Sequence, residues 1–194
     1  MKKLTLLVTL VPLLGTPLLQ GCATAVVGGA VTGVSVAHDR RSAGTVLDDQ
    51  TIELKAMNQL AGAGDLKERG NFNTTSYNQV VLLTGQADSG EHRDHYERLV
   101  RAIPGIKHVI NEIQLAPRAG LKEQSNDVYL TSKVKVALFD IKLPDFDPSR
   151  VKVVTERGVV YLMGLLKHNE ADAVVEKARF VSGVKQVVKV FEYL

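Results

Sequence analysis

The chain repeats one pattern of apolar and polar positions. Residues 80–85 (VVLLTG) lead through a polar segment to residues 103–109 (IPGIKHV), and residues 159–164 (VVYLMG) lead through a similar segment to residues 181–187 (VSGVKQV). The first glycines of the two copies are 79 residues apart and the second glycines are 78 apart. Self-similarity at one offset is the sign of an internal duplication. The pattern therefore predicts two copies of one small domain.

Each copy has the spacing of an α-β-β-α-β unit. In the first copy we expect a helix from Asp48 or Asp49 to Leu60, a strand over 72–77, a turn at 78–79, a strand over 80–84 ended by Gly85, a helix over 89–102 and a strand over 107–115. In the second copy we expect a helix from Asp127, a strand from Arg150, a turn at 157–158, a strand from Val159, a helix over 169–181 and a strand over 184–194. Because the third strand reaches the sheet by a crossover, each three-stranded sheet must be mixed. The fold class is α+β.

The strands of the second copy are apolar on both sides, with Tyr161, Met163, Phe191 and Tyr193 among their large residues. One side of such a sheet covers its own helices, and the other needs a partner. We expect the sheets of the two copies to pack on each other, with Tyr161 and Phe191 largely buried.

The N-terminal segment has the pattern of a secretory leader. Lys2 and Lys3 precede an apolar run that is too short to span a membrane and ends at Gly21-Cys22. A cysteine at that point resembles the acylation site of bacterial lipoproteins, so we expect Cys22 to carry fatty acyl chains such as palmitate. Ala23, rather than aspartate, resembles the pattern for export to the outer membrane of Gram-negative bacteria.

These signals divide the chain into five parts. We expect a signal peptide over residues 1–21, a lipidated N-terminus and flexible tether over 22–47, the first domain over 48–115, a linker over 116–125 and the second domain over 126–194.

The net charges of the two halves of the chain differ more than the net charge of the whole chain suggests. The 194 residues carry a net charge of +3, but residues 48–115 hold seven basic and ten acidic side chains, while residues 116–194 hold thirteen basic and ten acidic ones. The copies thus differ in net charge, −3 against +3. Neither is basic enough to favour nucleic acid. A single cysteine excludes an intramolecular disulfide and a multi-cysteine zinc site.

No catalytic or metal-binding pattern is present in the sequence. His92 and His95 are spaced for one helix face, but their neighbours are charged, which is typical of a solvated surface. Asp145 and Asp147 lack the spaced ligands and the glycine of a calcium loop. We therefore expect neither an enzyme nor a cofactor.

The first helix of the second copy has two apolar stripes. At about 100° per residue, Leu130, Val134 and Leu138 form a core stripe. The opposite side, where a surface helix should be polar, carries a second set with Ser132 at its centre and lysines at its margins: Val128, Tyr129, Ser132, Lys133, Lys135, Val136 and Phe139. The aligned residues of the first copy are Gln50, Thr51, Asn58 and Ala61, so we expect no such stripe there. The second stripe could pack against the first copy or the linker, contact a membrane, or dock into a partner protein.

The repeated order of elements resembles the BON domain. The V-x-L-x-G strand, the G-V-x-x-V strand after the second helix, and residues 110–113 (INEI) in the first copy carry the resemblance; the second copy departs at 188–191 (VKVF). Two such units behind a lipoprotein signal resemble a family of dual-BON outer-membrane lipoproteins.

The resemblance implies a protein that is anchored in the outer membrane through Cys22 and faces the periplasm. It implies binding to anionic phospholipid, phosphatidylglycerol or cardiolipin, chiefly through the second BON unit. It also implies support of outer-membrane integrity at division sites, with envelope or division proteins as further partners. The alternative is an interaction scaffold that docks a protein through the same helix.

Overall fold

The structure, a computed structural model, describes residues 39–194. The predicted signal peptide, Cys22 and the tether up to residue 38 lie outside the described residues. Within the described part, no helix is both long enough and apolar enough to cross a membrane.

Both copies form the predicted α-β-β-α-β unit. The first contains α1 (Ala43–Gly62), β1 (Gly70–Tyr77), β2 (Val80–Ala87), α2 (Gly90–Arg101), β3 (His108–Asn111) and β4 (Gln114–Leu115), with a 3-10 turn at Leu66–Glu68. The second contains α3 (Leu121–Leu138), β5 (Lys152–Glu156), β6 (Val159–Leu166), α4 (His168–Arg179) and β7 (Gln186–Tyr193), with a 3-10 turn at Pro148–Arg150.

Each sheet has one antiparallel and one parallel ladder. β2 pairs antiparallel with β1 and parallel with β3 and β4, and β6 pairs antiparallel with β5 and parallel with β7. The third strand of the first copy is split in two, because the side chain of Asn111 accepts the backbone N–H of Ile113 at 3.1 Å and turns the chain there. The mixed sheets follow from the crossover helices α2 and α4.

The predicted helix starts are wrong in both copies. α1 begins at Ala43, where the Ser42 hydroxyl accepts the N–H of Thr45 at 3.0 Å, so neither Asp48 nor Asp49 is its cap. α3 begins at Leu121, so residues 121–125 belong to the helix and not to the linker.

Asp49 and Asp127 instead hold the two hairpin turns. Buried Asp49 accepts the backbone N–H groups of Asn78 and Gln79 at 2.8 and 2.7 Å. Its counterpart Asp127 accepts those of Arg157 and Gly158 at 2.7 and 2.9 Å. Each carboxylate thereby satisfies turn amides that the β ladder leaves unpaired.

Gly85 does not end β2, which continues to Ala87. Its φ of 114° lies in a region that L-residues rarely adopt, and a Cβ there would collide with the carbonyl oxygen of Asn71 on β1. This glycine is needed inside the strand because the neighbouring backbone comes so close.

The sheets pack face to face, with the helices on the two outer sides. Alternate residues of β2 and β6 point to a helix-side core or to a core between the sheets. The core between the sheets is built around Tyr77, Val80, Leu82, Tyr161, Met163 and Val190. Tyr161 is 1% exposed, as predicted, and burial raises the pKa of its phenol to about 12. Phe191 is intermediate in exposure, so most of it is buried, but it packs into the helix-side core of the second copy and not between the sheets as expected.

A buried polar bridge lies at the edge of this interface. Gln86, which is fully buried, donates from Nε2 to Glu156 Oε1 at 2.5 Å and accepts the N–H of Ala119 at 2.8 Å. Asn73 lies 3.4 Å from the other oxygen of Glu156. One side chain therefore joins the first copy, the linker and the second copy.

The described part of the expected flexible tether, residues 39–47, is structured. Residues 43–47 belong to α1, and residues 39–42 precede it. Arg41 donates to Asp39 and to Asp49 at 2.7 and 2.9 Å, and its guanidinium lies 3.9 Å from the centre of the Tyr77 ring. Arg40 pairs with Glu170 of the second copy. The segment is thus bonded to both domains.

Candidate functional site

Helix α3 presents two apolar faces, as predicted. Its core face is buried, with Leu130 2% exposed and Val134 and Leu138 fully buried. The opposite face holds the exposed set of Val128, Tyr129, Val136 and Phe139, each between 64% and 69% exposed. Neither the first copy nor the linker covers this second face in residues 39–194. We refer to these four residues, with Ser132, as the α3 outer face.

Lys133 is fixed at one margin of the α3 outer face. Its Nζ donates to the carbonyl oxygen of Ser182 at 2.6 Å and lies 5.6 Å from the centre of the Tyr129 ring. A cation over an aromatic face is an attractive arrangement. Lys135, at the other margin, is exposed. The Ser132 hydroxyl donates to the Val128 carbonyl at 3.1 Å and is satisfied within the helix.

An open groove of about 550 Å³ runs along the Lys133 side of the α3 outer face. Tyr129, Ser132, Lys133 and Val136 line one wall, and Val181 and Ser182 line the other. The structure brings these four predicted residues together, while Val128, Lys135 and Phe139 lie outside the groove on the rest of the exposed face. Most of the groove surface is contributed by carbon atoms, so it suits an apolar chain more than a polar ligand.

Sequence reasoning missed the exposed Phe180, which precedes Val181 of the groove wall in the chain. The residue was expected inside a helix running to Val181, but α4 ends at Arg179 and Phe180 is 72% exposed at its C-terminus. The guanidinium of Arg179 lies 4.8 Å from its ring centre. The helix ends two residues earlier than expected, and a difference of that size decides whether such a side chain is inside or outside the helix.

The expectation that the first copy has no such stripe was wrong. Leu47, Leu54 and Met57 of α1 are all more than half exposed. At 100° per residue, Leu47 and Leu54 lie on the face of α1 that corresponds to the α3 outer face, between the polar positions Gln50 and Asn58, and Met57 lies just beyond Gln50. The two helices therefore differ less in apolar surface than expected. They still differ in aromatic residues and in the net charge around them, −3 over residues 48–115 against +3 over residues 116–194.

The described residues provide no metal centre. Among residues 39–194, no group of three or more His, Cys, Asp or Glu side chains could hold a metal ion. In the first turn of α2, the Nδ1 atom of His92 lies within hydrogen-bond distance of Ser89 Oγ, at 2.8 Å, and of Asp88 Oδ1, at 2.6 Å. Its role there is to complete the helix cap.

Comparison with known proteins gives the family. The model of the BON domain matches residues 48–117 and 126–194. The chain is 39% identical over 180 residues to "Outer membrane lipoprotein DolP" of Haemophilus influenzae, covering 92% of each chain. The chain belongs to the DolP family of BON-domain lipoproteins. Its place is accordingly the outer membrane, and the name of that relative denotes a lipoprotein and not an enzyme.

Two further proteins similar to this DolP-family chain share less of its sequence. It is 36% identical over 156 residues to "21 kDa hemolysin" of Actinobacillus pleuropneumoniae, covering 80% of this chain and 79% of that one. A solved structure of CdsD, a structural protein of the type III secretion system of Chlamydia trachomatis, covers 73% of this chain and 91% of its own at 12% identity and a TM-score of 0.30. That likeness is too weak to support a functional conclusion.

Proposed function

We propose that this DolP-family lipoprotein binds anionic phospholipid through the α3 outer face. The observation that carries the proposal is an exposed apolar and aromatic helix face with lysines at both margins, in the part of the chain, residues 116–194, whose net charge is +3. Amphipathic helices with this arrangement lie in the interface of a bilayer, with the apolar side among the acyl chains and the basic side chains at the phosphates.

The energies agree with weak, reversible binding. Burying parts of Tyr129, Val136 and Phe139 would remove on the order of 150 Å² of apolar surface from water, which is roughly 4 kcal/mol. Each basic residue near an anionic surface adds about 1 kcal/mol. The predicted acyl anchor at Cys22 would keep the domain close to lipid and so raise its effective concentration there.

In the cell, this contact would hold the second BON domain against the inner leaflet of the outer membrane. The role that the family resemblance implies, support of outer-membrane integrity at division sites, is part of the same proposal. The lipids it names are phosphatidylglycerol and cardiolipin.

The test is flotation of the unlipidated mature chain, carrying Cys22→Ser, with vesicles of phosphatidylglycerol, cardiolipin or phosphatidylcholine. Binding to the two anionic lipids is expected, and Val136→Glu or Phe139→Glu should abolish it with little change in melting temperature. Val134→Glu should instead destabilise the domain, because it buries a carboxylate in the core.

The matched control lies on the first copy. Leu54, 53% exposed, occupies the corresponding face of α1, so Leu54→Glu places the same charge on the acidic domain and should leave binding unchanged. If Val136→Glu and Leu54→Glu weaken binding equally, α3 is not the lipid contact. If the parent chain binds none of the three lipids but crosslinks through α3 to one envelope protein, the lipid-binding proposal is wrong and the scaffold function is supported.

A further inference from the structure

A second pocket, of about 360 Å³, lies near the N-terminal end of α3. Three cationic residues line it, one from each of three elements: Lys122 in the first turn of α3, Arg157 in the turn between β5 and β6, and Lys185 just before β7. We call it the basic pocket. Two carboxylates, Glu123 and Asp127, also line it.

Both carboxylates are already engaged with the backbone. Asp127 is 6% exposed and accepts the N–H groups of Arg157 and Gly158, and Glu123 accepts the N–H of Gly120 at 3.0 Å. The nearest oxygen of Glu123 is 3.9 Å from Arg157 Nη2, at the limit of an ion pair. The three cations are thus only partly compensated, and the pocket keeps a positive charge.

The side chain of Arg157 is held in place by one hydrogen bond, but its hydrogen-bonding capacity is not fully used. Its Nη2 donates to the carbonyl oxygen of Pro117 at 2.8 Å, whereas its buried Nε has no hydrogen-bond partner. Its φ is 51°, a conformation in which asparagine and glycine are the usual residues of such a hairpin turn. A long cationic side chain at this position has a conformational cost that the turn itself does not require.

Lys185 is positioned by the same turn. Its N–H donates to the Gly158 carbonyl at 2.9 Å, and its aliphatic stem crosses Gly158 so closely that a Cβ there would come within 3.1–3.2 Å of it. The stem therefore packs on the turn, and the ammonium group is kept beside the pocket.

The first copy shows that the scaffold does not need these cations. Its turn is held in the same way by Asp49, and the N–H of Lys107 donates to the Gln79 carbonyl at 2.9 Å, just as that of Lys185 does in the second copy. The residues that correspond to Lys122 and Arg157 are Gly44 and Asn78. With the same backbone arrangement, only the second copy collects three positive charges, so the turn itself does not require them.

One loop connects the basic pocket to the apolar groove of α3. Gly183 lines the pocket, while Val181 and Ser182 line the groove. An amphiphile lying along this side of α3 would therefore meet carbon at one end and cationic nitrogen at the other. Guanidinium and ammonium groups on separate elements are the donors that proteins use for phosphate.

We propose that Lys122, Arg157 and Lys185 form a subsite for the phosphate of a lipid headgroup, with the acyl end of the same lipid at the apolar groove. This proposal rests on the lipid-binding function and assigns the headgroup end of that site.

The experiment uses the mature chain with Cys22→Ser and vesicles of phosphatidylglycerol. Lys122→Gln, Arg157→Asn and Lys185→Gln should each weaken binding roughly fivefold, the effect of removing one charge near an anionic surface. Arg157→Asn is the decisive variant, because asparagine suits the positive φ and this gain offsets the lost bond to the Pro117 carbonyl, so the melting temperature should stay the same. A lower melting temperature for Arg157→Asn would indicate a structural role and overturn the proposal.

Two lysines serve as matched controls. Lys107→Gln removes the equivalent charge from the first copy, and Lys189→Gln removes the charge of an exposed side chain on β7 in the second. Both should bind as the parent does. If they weaken binding as much as Lys185→Gln, the charge acts at a distance and there is no subsite.

Soluble glycerol phosphate is the probe that distinguishes a lipid headgroup from a free phosphate as the ligand of the basic pocket. It should shift the amide resonances of Gly158 and Gly183 in the parent chain but not in the triple variant. Shifts that occur in the parent while the triple variant still binds vesicles normally would assign the pocket to a free phosphate and overturn the lipid assignment. In that case loss of binding in Val136→Glu would still support the lipid-binding function, so the two proposals fail separately.

Discussion

Arg40 and Glu170, which are 130 residues apart in the chain, form a two-pronged ion pair between the segment before α1 and the start of α4. Nη1 and Nη2 of Arg40 donate to the two carboxylate oxygens at 2.6 and 2.7 Å, and Nη1 also donates to the Leu165 carbonyl at 3.0 Å. The Glu170 side chain is 2% exposed. Because Arg41 pairs with Asp49 in the first domain, two adjacent arginines fasten the two domains together.

Arg40→Ala should cost about 2–3 kcal/mol of unfolding free energy, since it leaves a buried carboxylate without its partner. The bond to Arg40 lowers the pKa of Glu170, so its contribution is present above the ordinary glutamate pKa and is lost as the pH falls through the lowered value. Urea unfolding at neutral and acidic pH measures both effects. Arg179→Ala, which breaks an exposed pair with Glu176, is the control and should cost little. An equal loss in the two variants would contradict the role given to Arg40.

Glu156 should affect stability with a pH dependence opposite to that of Glu170, and Glu156→Gln tests this. Burial raises the pKa of Glu156, against the hydrogen bond from Gln86, so the folded state favours its protonated form. That contribution is present at low pH and is lost as the pH rises through the raised value. The amide should therefore increase the melting temperature at neutral pH and change it little in acid. Thermal unfolding over this range checks the sign, and a lower melting temperature at pH 7 would show that the carboxylate itself is needed.

Asp127→Ala should loosen the β5–β6 turn. It removes the acceptor of two turn amides and should cost about 2 kcal/mol, within the range for unsatisfied buried groups. Hydrogen exchange at the Gly158 amide measures the local effect, and thermal unfolding measures the global one. Asp172→Ala, at an exposed position of α4, is the control. Unchanged protection of the Gly158 amide would mean that the turn holds without its aspartate.

Cys22→Ser should abolish acylation and release the protein from the outer-membrane fraction. The expectation comes from the leader and the lone cysteine at its end. Metabolic labelling with palmitate, followed by membrane fractionation, measures it. Label that persists in the serine variant would place the acyl chain elsewhere.

The duplication made most of the fold predictable, because every element could be inferred twice. The errors arose where a residue has a tertiary role that resembles a local one. Asp49 and Asp127 have the sequence context of helix caps, but the amides they accept belong to turns 29 to 31 residues away. Gly85 resembles a strand end, but it is required by the close approach of β1.

The candidate site was predictable only as far as it lies on one helix. The angular spacing of α3 was sufficient to identify the α3 outer face. The groove wall at Val181 and Ser182 and the three cations of the basic pocket come from separate elements that only the fold brings together. The exposed Leu47, Leu54 and Met57 were overlooked because only positions apolar in the second copy were compared with the first.

Because the sheets pack face to face, the molecule has a negative side and a positive side. Its two helical layers face in opposite directions. The layer of α1 belongs to residues 48–115, with a net charge of −3, and the layer of α3 belongs to residues 116–194, with a net charge of +3. Near an anionic bilayer, within a Debye length of about 8–10 Å, such a separation of charge exerts a torque. The molecule would be rotated with α3 toward the headgroups before any side chain enters them, and α1 would be left facing the aqueous compartment.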